Sequence, residues 1–282
     1  MADDHAITLP DGRTLAFTDI GTEHGPVVVY HHGAPGGRLE LVNLDAAFAA
    51  AGVRVITPDR PGYGRSTAQP IRTTAEFTAD TAALVDRLGV DRFGVMGLSS
   101  GGPYAVACAA QLGARVLGAV VAAGNTDMTW PSADDGYLPS ELRLMSLDDP
   151  DSAVRLAEDI YGADGARFFD DGWDLGTCDS AWLADETNAI ALLTAMTDAF
   201  HQGVDAYARD IWVQGRAWSF DPAAITCPVI VAHGADDRLV PIGHSRHTAA
   251  LIPGAELRVL DGVGHLGLVD ELPALAAEIT RR

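Results

Sequence analysis

The sequence predicts an α/β fold in which a mostly parallel central sheet is flanked by helices and a helical cap is inserted after the sixth strand. Short apolar runs alternate with helix-like segments through the first 125 residues, an order typical of βαβ units. From residue 127 to 220 the apolar spacing is helical, without a strong strand pattern. Strand-like runs return at 228–233 and 256–260, so the middle segment is predicted to interrupt one sheet.

Six strands are predicted before the insertion. Two short strands, 6–9 and 14–19, are joined by a turn with the sequence PDG. The next run, VVVYHH at 27–32, is a continuous apolar run, which is typical of a parallel strand buried on both faces. The remaining strands of this half are predicted at 54–59, 93–97 and 116–123.

Helices are predicted between these strands. An alanine-rich helix ends near Gly52, and a helix of small residues covers roughly 100–112. The sequence TTAE, from Thr73 to Glu76, has the pattern of a capping box, in which both side chains bond free amides at the start of a helix. A last helix is predicted at 272–282.

We divide the chain into an α/β core, 1–126 and 221–282, and a helical cap, 127–220. The cap holds all five tryptophans and carries 19 acidic residues against five arginines. About a third of the chain thus carries most of the net charge of −20. Such a chain repels nucleic acid and anionic lipid, so we expect a small-molecule substrate and neither a nucleic-acid nor a membrane partner.

The sequence contains no lysine, which excludes a Schiff-base lysine, a P-loop lysine and a Ser-Lys catalytic pair. Three cysteines are too few and too scattered for a disulfide framework. The sequence shows neither a secretory leader pattern nor an apolar run of 18 residues. We therefore expect a cytoplasmic protein without metal or cofactor, and the sequence does not indicate an oligomeric state.

Ser99 is the predicted nucleophile. The sequence GLSSG, from Gly97 to Gly101, fits G-x-S-x-G and lies between an apolar strand and a small-residue helix. A strand that turns sharply into a helix exposes the middle hydroxyl, but side chains two positions before and after it would collide. Ser100 would have Leu98 at the first of these positions, so the pattern selects Ser99. A plain glycine-rich turn is the alternative.

The loop HGAPG follows the third predicted strand and begins at His32. A tetrahedral oxyanion needs two backbone N–H donors that face one point. Ser100, directly after the nucleophile, supplies one, and Ala34 is the candidate for the other because Pro35 has no N–H. We expect His32 and Gly33 to support this loop. An ordinary Gly/Pro turn is the alternative.

His265 is the predicted general base among nine histidines. It ends the sequence GVGH, after a predicted strand and before the last helix, where a side chain has room to reach both a hydroxyl and a carboxylate. The acid is predicted after the strand 228–233, where Asp236 and Asp237 are adjacent and either fits. The resulting order along the chain is Ser, Asp, His.

Five motifs in the same order resemble the α/β-hydrolase family over nearly the whole chain. They are HHGAPGG (31–37), DRPGYGRS (59–66), GLSSGGPYA (97–105), HGADDRLVP (233–241) and GVGH (262–265). The family pattern G-x-x-D-x-x-V-P implies Asp237 as the acid, and the resemblance implies His265 as the base. It also implies that the amides of Ala34 and Ser100 form the oxyanion hole and that 127–220 covers the site.

The chain departs from several branches of this family. Some members place the acid after an earlier strand, where this chain has Asp127. Members with an aspartate nucleophile cleave carbon–halogen bonds or epoxides, which Ser99 argues against. The loop HHGAPGG is similar to the HGGPGG loop of prolyl iminopeptidases, but these usually carry a tryptophan after the nucleophile. Perhydrolase-like members often carry an aromatic residue at that position. Here that residue is Ser100.

The expected activity is hydrolysis of a carboxylic ester or related acyl bond in a small, neutral, largely apolar substrate through an acyl-enzyme. Trp130, Met128 and Trp212 are candidates to line the pocket, with a place in the core of the cap as their alternative role. Alternative activities are a prolyl-iminopeptidase-like amidase, a carbon–carbon hydrolase and a lyase with the same triad. A non-catalytic ligand-binding protein is a further alternative, although such proteins usually lack a triad residue.

Overall fold

An eight-stranded sheet forms the centre of the computed structural model, which describes residues 3–69 and 73–281. The strands are β1 (Asp3–Thr8), β2 (Thr14–Gly21), β3 (Val27–His31), β4 (Arg54–Pro58), β5 (Phe93–Leu98), β6 (Val116–Ala122), β7 (Val229–Gly234) and β8 (Glu256–Leu260). They lie side by side in the order β1-β2-β4-β3-β5-β6-β7-β8. The pairs β1–β2 and β2–β4 are antiparallel and the other pairs are parallel, which confirms the predicted sheet.

The central strands are buried on both faces because helices cover both sides of the sheet. In β3, Val27 and Val29 belong to one hydrophobic cluster, whereas Val28 and Tyr30 belong to the cluster on the opposite face. This alternation follows from the two-residue period of a strand. The continuous apolar run in the sequence therefore corresponds to a strand between two layers of helices, as expected for a parallel sheet.

Ten α-helices lie within the described residues. They are α1 (Asp45–Ala51), α2 (Phe77–Arg87), α3 (Gly102–Leu112), α4 (Pro139–Met145), α5 (Pro150–Tyr161), α6 (Gly176–Leu183), α7 (Glu186–Ala199), α8 (Asp205–Gln214), α9 (Ile242–Leu251) and α10 (Leu272–Thr280). Helices α1 and α10 pack on one face of the sheet, and α2 and α3 pack on the other. None of the described helices is long and apolar enough to cross a lipid bilayer.

The predicted capping box at Thr73 is wrong. The Thr73 side chain makes no cap hydrogen bond, and the chain enters α2 through a short 3-10 helix, Thr74–Glu76. In that tighter turn the Glu76 amide donates to the Thr73 carbonyl at 3.2 Å, so the main chain replaces the side-chain cap. At the other end of the chain, the last helix stops at Thr280, and Arg282 lies outside the described residues.

Helices α4 to α8 occupy the segment between β6 and β7, and we refer to residues 127–220 as the inserted segment. These helices share their own hydrophobic cluster, which includes Leu144, Tyr161, Phe168 and Ile211. The cluster also includes Tyr63, from the loop after β4, so the inserted segment packs directly on that loop. The division into a core and a cap remains a prediction.

Candidate active site

Ser99 lies where β5 turns into α3. Its φ is +53°, a left-handed conformation that costs energy outside glycine, and a 3-10 turn, Ser99–Gly101, leads into the helix. A Cβ placed on Gly97 would overlap the Gly101 carbonyl oxygen, and one placed on Gly101 would overlap the carbonyl oxygen of His31. Only glycine fits these two positions, and the turn leaves Ser99 half-buried while Ser100 is buried.

The loop after β3 passes beside Ser99. A Cβ placed on Gly33 would lie 3.7 Å from the Cβ of Ser99. The Gly33 carbonyl accepts hydrogen bonds from His32 Nδ1 at 2.7 Å and from Arg60 Nη2 at 2.9 Å. In a trans peptide the N–H points opposite to the C=O, so these bonds direct the Ala34 N–H away from Arg60. Ala34 itself lines the same cavity as Ser99.

Two main-chain contacts hold His32 in one tautomer. Its Nε2 accepts from the Arg60 amide at 3.1 Å, so the ring proton is on Nδ1, which donates to the Gly33 carbonyl. Burial, together with the nearby Arg60 guanidinium, holds the pKa of His32 well below its ordinary value. The neutral imidazole therefore links the loop after β3 to the loop after β4.

His265, in the loop after β8, bonds the carboxylate of Asp237 in the loop after β7. The distance from His265 Nδ1 to Asp237 Oδ2 is 2.8 Å. Asp237 Oδ1 accepts from the amides of Leu239 and Val240 at 2.8 and 2.9 Å, which fixes the carboxylate. Because Nδ1 faces Asp237, Nε2 is the nitrogen left to act on another group. His265 and Ser99 line one cavity.

Burial and neighbouring charges have opposite effects on the pKa of His265, and likewise on the pKa of Asp237. Burial alone would lower the pKa of His265, but the Asp237 carboxylate, helped by Asp179 and Glu40, raises it above 6.5. Burial alone would raise the pKa of Asp237, but His265 and the Val240 amide hold it below its ordinary value. The arrangement thus favours a charged carboxylate beside an imidazole that readily takes a proton.

The two other candidate acids lie elsewhere. Asp236 is exposed, although it is adjacent to Asp237 in the chain. The carboxylate of Asp127 accepts from the Trp218 amide at 3.1 Å, at the base of the inserted segment. Of these three aspartates, Asp237 is the one whose carboxylate reaches His265.

A cavity of about 70 Å³ lies at Ser99 and His265. Its other lining residues are mostly apolar: Gly33, Ala34, Pro35, Glu40, Leu98, Tyr137, Leu138, Glu141, Trp173, Leu192, Met196, Leu239, Val240 and Leu266. Ligand pockets usually have volumes of roughly 300–1,000 Å³. A bulky substrate therefore requires side chains or helices of the inserted segment to move aside.

Two carboxyl groups, Glu40 and Glu141, line this mostly apolar cavity. Glu40 Oε2 accepts from the Gly33 amide at 3.0 Å. Glu141, on α4, is buried and accepts from the hydroxyls of Tyr137 and Tyr207 at 2.6 and 3.2 Å. Burial raises the pKa of Glu141 to about 7, because it outweighs the two hydroxyls. Sequence reasoning missed both residues, since nothing in their spacing relates them to the serine.

The three residues predicted to line the pocket do not surround this cavity. Trp130 stacks on an imidazole ring, Trp212 donates to a main-chain carbonyl at 2.8 Å, and Met128 packs against the hydrophobic cluster of the inserted segment. Trp173 and Met196 line the cavity instead. The difference arises because α7 and the loop before α6 face the serine, rather than α8 or the chain just after β6.

The chain matches the model of the alpha/beta hydrolase fold family over residues 26–272. This match covers most of the chain and every element that carries a predicted triad or oxyanion residue, so the chain belongs to this family. The family resemblance expected from the five sequence motifs is confirmed.

Individual relatives are similar over almost their whole length. The chain is 27% identical to the non-heme haloperoxidase of Rhodococcus erythropolis, covering 92% of each chain. It is 26% identical to 2-hydroxy-6-oxononadienedioate/2-hydroxy-6-oxononatrienedioate hydrolase 1 of Dechloromonas aromatica, covering 89% of this chain and 84% of that one. An alpha/beta hydrolase fold protein from Nakamurella multipartita superposes with a TM-score of 0.72 at 26% identity, covering 99% of both chains. These relatives support hydrolase chemistry in general.

Replacing Gly101 by alanine is expected to lower the free energy of unfolding by about 1–3 kcal/mol, because the added methyl overlaps the His31 carbonyl. The measurement is urea unfolding followed by circular dichroism. Gly243→Ala is the matched control, since its methyl would lie 3.4 Å from the Trp130 ring, an ordinary contact. Equal stabilities for the two variants would contradict the tight turn at Ser99.

Proposed function

We propose that this protein is a serine hydrolase that cleaves a carboxylic ester of a small, neutral, largely apolar substrate. One observation carries the proposal: Ser99, at a strained turn after a central strand, shares a cavity with a histidine whose Nδ1 lies 2.8 Å from a buried carboxylate. Nucleophile, base and orienting acid are the three parts that acyl transfer through serine requires. Ester hydrolysis makes the smallest demand on the leaving group.

In the proposed mechanism, Ser99 Oγ attacks the ester carbonyl while His265 Nε2 takes its proton. Asp237 keeps the imidazole in the tautomer with its proton on Nδ1 and stabilises the imidazolium that forms. The amides of Ala34 and Ser100 donate to the oxyanion. His265 then protonates the departing alcohol, and a water activated by the same histidine releases the acid from the acyl-enzyme.

The cavity favours a neutral acyl group. Leu138, Leu192 and Met196 are among its apolar lining residues, and none of the described lining residues is an arginine. The whole chain has no lysine. The cavity offers two carboxyl groups, Glu40 and Glu141, and an anionic substrate would be repelled by these groups when they are charged. This disfavours dicarboxylates such as the one in the name of the Dechloromonas aromatica hydrolase.

A second candidate is hydrolysis of an aminoacyl amide. The observation that favours it is Glu141, a buried carboxyl group that lines the cavity. A carboxylate has about four lone-pair positions, and the hydroxyls of Tyr137 and Tyr207 use two of them. The remaining positions would accept hydrogen bonds from a substrate ammonium group.

Ser99→Ala is expected to lower kcat/KM for a neutral ester at least about a thousandfold, because the nucleophile is removed. The assay is the hydrolysis of 4-nitrophenyl esters of short acids, with labelling by a fluorophosphonate and mass spectrometry of the labelled peptide. The control is Ser146→Ala, an exposed serine at the end of α4. Ester turnover by Ser99→Ala near the wild-type rate would exclude the proposed nucleophile.

The activity is expected to fall at low pH, with an apparent pKa above 6.5 in the profile of kcat/KM. The reason is that the Asp237 carboxylate raises the pKa of His265, and a protonated imidazole cannot accept the serine proton. Activity is therefore present above this pKa and lost below it. In Asp237→Asn the rate is expected to fall about 10⁴-fold. An acid limb of the wild-type kcat/KM profile with an apparent pKa clearly below 6.5 would argue against the His265–Asp237 pair as the base.

The ester and amide proposals differ in the substrate that is cleaved faster. We expect kcat/KM for 4-nitrophenyl butyrate to exceed that for alanine 4-nitroanilide by about 100-fold or more, since an amine is the poorer leaving group. Glu141→Gln is expected to affect both substrates alike. Faster amide cleavage by the wild type, lost selectively in Glu141→Gln, would establish the second candidate instead.

A further inference from the structure

The buried carboxylate of Asp179, on α6, binds the main chain of the His265 loop. Its Oδ2 accepts from the His265 amide at 2.8 Å, and its Oδ1 accepts from the Leu266 and Gly267 amides at 2.9 and 3.2 Å. The side chain is fully buried. The Leu266 and Gly267 amides lie at the start of a 3-10 helix, Gly267–Glu271, whose first N–H groups have no partner within the helix.

The Asp179 carboxylate packs closely against the residue before His265. A Cβ placed on Gly264 would overlap both carboxylate oxygens of Asp179. Helix α6 makes a second contact with the same region, because Trp182 Nε1 donates to Asp270 Oδ2 at 2.9 Å. Only glycine fits before His265, because the Asp179 carboxylate occupies the position that a Cβ on Gly264 would take.

The two side-chain oxygens of Asp179 together accept three N–H donors, which requires a carboxylate. An asparagine at this position would keep one acceptor oxygen and place an NH₂ group where the other oxygen lies. At least one of the three amides would then face a donor instead of an acceptor. Because the His265 amide and the Leu266 and Gly267 amides bond different oxygens, either orientation of the asparagine disturbs the loop.

We propose that Asp179 is a positioning residue for the reaction, which sets the place of His265 through the main chain and supplies a negative charge near its imidazole. The inference rests on the proposed function, since it assumes that His265 is the base. It assigns to the inserted segment a direct part in building the catalytic site, besides covering it.

The titratable groups that interact with His265 come from several elements. They are Asp237 after β7, Asp179 on α6, Glu40 after β3, Glu141 on α4 and His233 on β7. Asp237 has the largest effect of the carboxylates, and Asp179 follows it. Removal of the Asp179 charge alone is therefore expected to lower the pKa of His265 without abolishing the effect of Asp237.

The test compares Asp179→Asn with Asp185→Asn in the full-length protein. Asp185 is the matched control, since it is an exposed aspartate on the same segment that caps α7 through the Thr187 amide. The first readout is the NMR titration of the His265 imidazole, which does not depend on turnover. We expect its midpoint to fall by about half a pH unit or more in Asp179→Asn and to stay unchanged in Asp185→Asn.

The second readout is ester hydrolysis. We expect kcat of Asp179→Asn to fall about tenfold or more with a smaller change in KM, and the acid limb of the pH profile to move with the titration. If Asp179→Asn does not fold, Asp179→Glu keeps the charge but displaces the loop, so it is expected to keep the midpoint and lose kcat.

An unchanged His265 midpoint in folded Asp179→Asn, or a wild-type kcat in Asp179→Glu, would overturn the positioning role. Failure of the proposed function would give a different result. The wild-type protein would then hydrolyse no ester and take no phosphonate on Ser99, while the midpoint of the His265 titration would still respond to Asp179→Asn.

Discussion

The buried ion pair between Arg60 and Asp210 is the interaction on which the geometry around the serine depends. Arg60 Nη2 lies 2.7 Å from Asp210 Oδ2, and the two side chains are 1% and 3% exposed. Asp210 also accepts from the hydroxyls of Tyr63 and Tyr104 at 2.9 and 2.5 Å. The guanidinium uses its other donors on the loop after β3, including the Gly33 carbonyl at 2.9 Å. A buried guanidinium without this counter-ion would be strongly destabilising, so a carboxylate from α8 keeps that loop in place.

The acidic residues of the inserted segment fall into two groups. Most of its carboxylates are exposed and keep the surface charged. Three of its buried ones have separate partners: Asp179 binds the His265 loop, Asp210 binds Arg60, and Glu141 lines the cavity. Carboxylates of the segment thus contact the main chain of the proposed base directly and the proposed oxyanion loop through Arg60. A rigid lifting of the whole segment would break these contacts.

Features that depend on neighbours along the chain were predictable. The two glycines around Ser99 follow from steric collisions within five residues, and the strand at 256–260 coincides with β8. The absence of a capping box at Thr73 was not predictable, because a 3-10 turn satisfies the Glu76 amide through the main chain and the sequence pattern does not distinguish the two arrangements. The pocket residues were not predictable from local sequence. The helix face that turns toward the serine depends on how the inserted helices pack together.

Local sequence predicted the succession of strands and helices in the first half of the chain, the strained turn at Ser99 and the acidic loop that presents Asp237, because each follows from local sterics or from a short apolar period. It predicted neither α9 nor the separate helices of the inserted segment. The local residues left Asp236 and Asp237 open, and only the family pattern favoured Asp237. The contact of the Asp237 carboxylate with His265, and the acidic residues of the insertion that turn inward, depend on tertiary packing. Asp179 and the His265 amide are 86 residues apart, and Arg60 and Asp210 are 150 apart. Contacts over such separations form only when the inserted helices pack on the sheet, which buries a carboxylate where main-chain amides or a guanidinium can satisfy it.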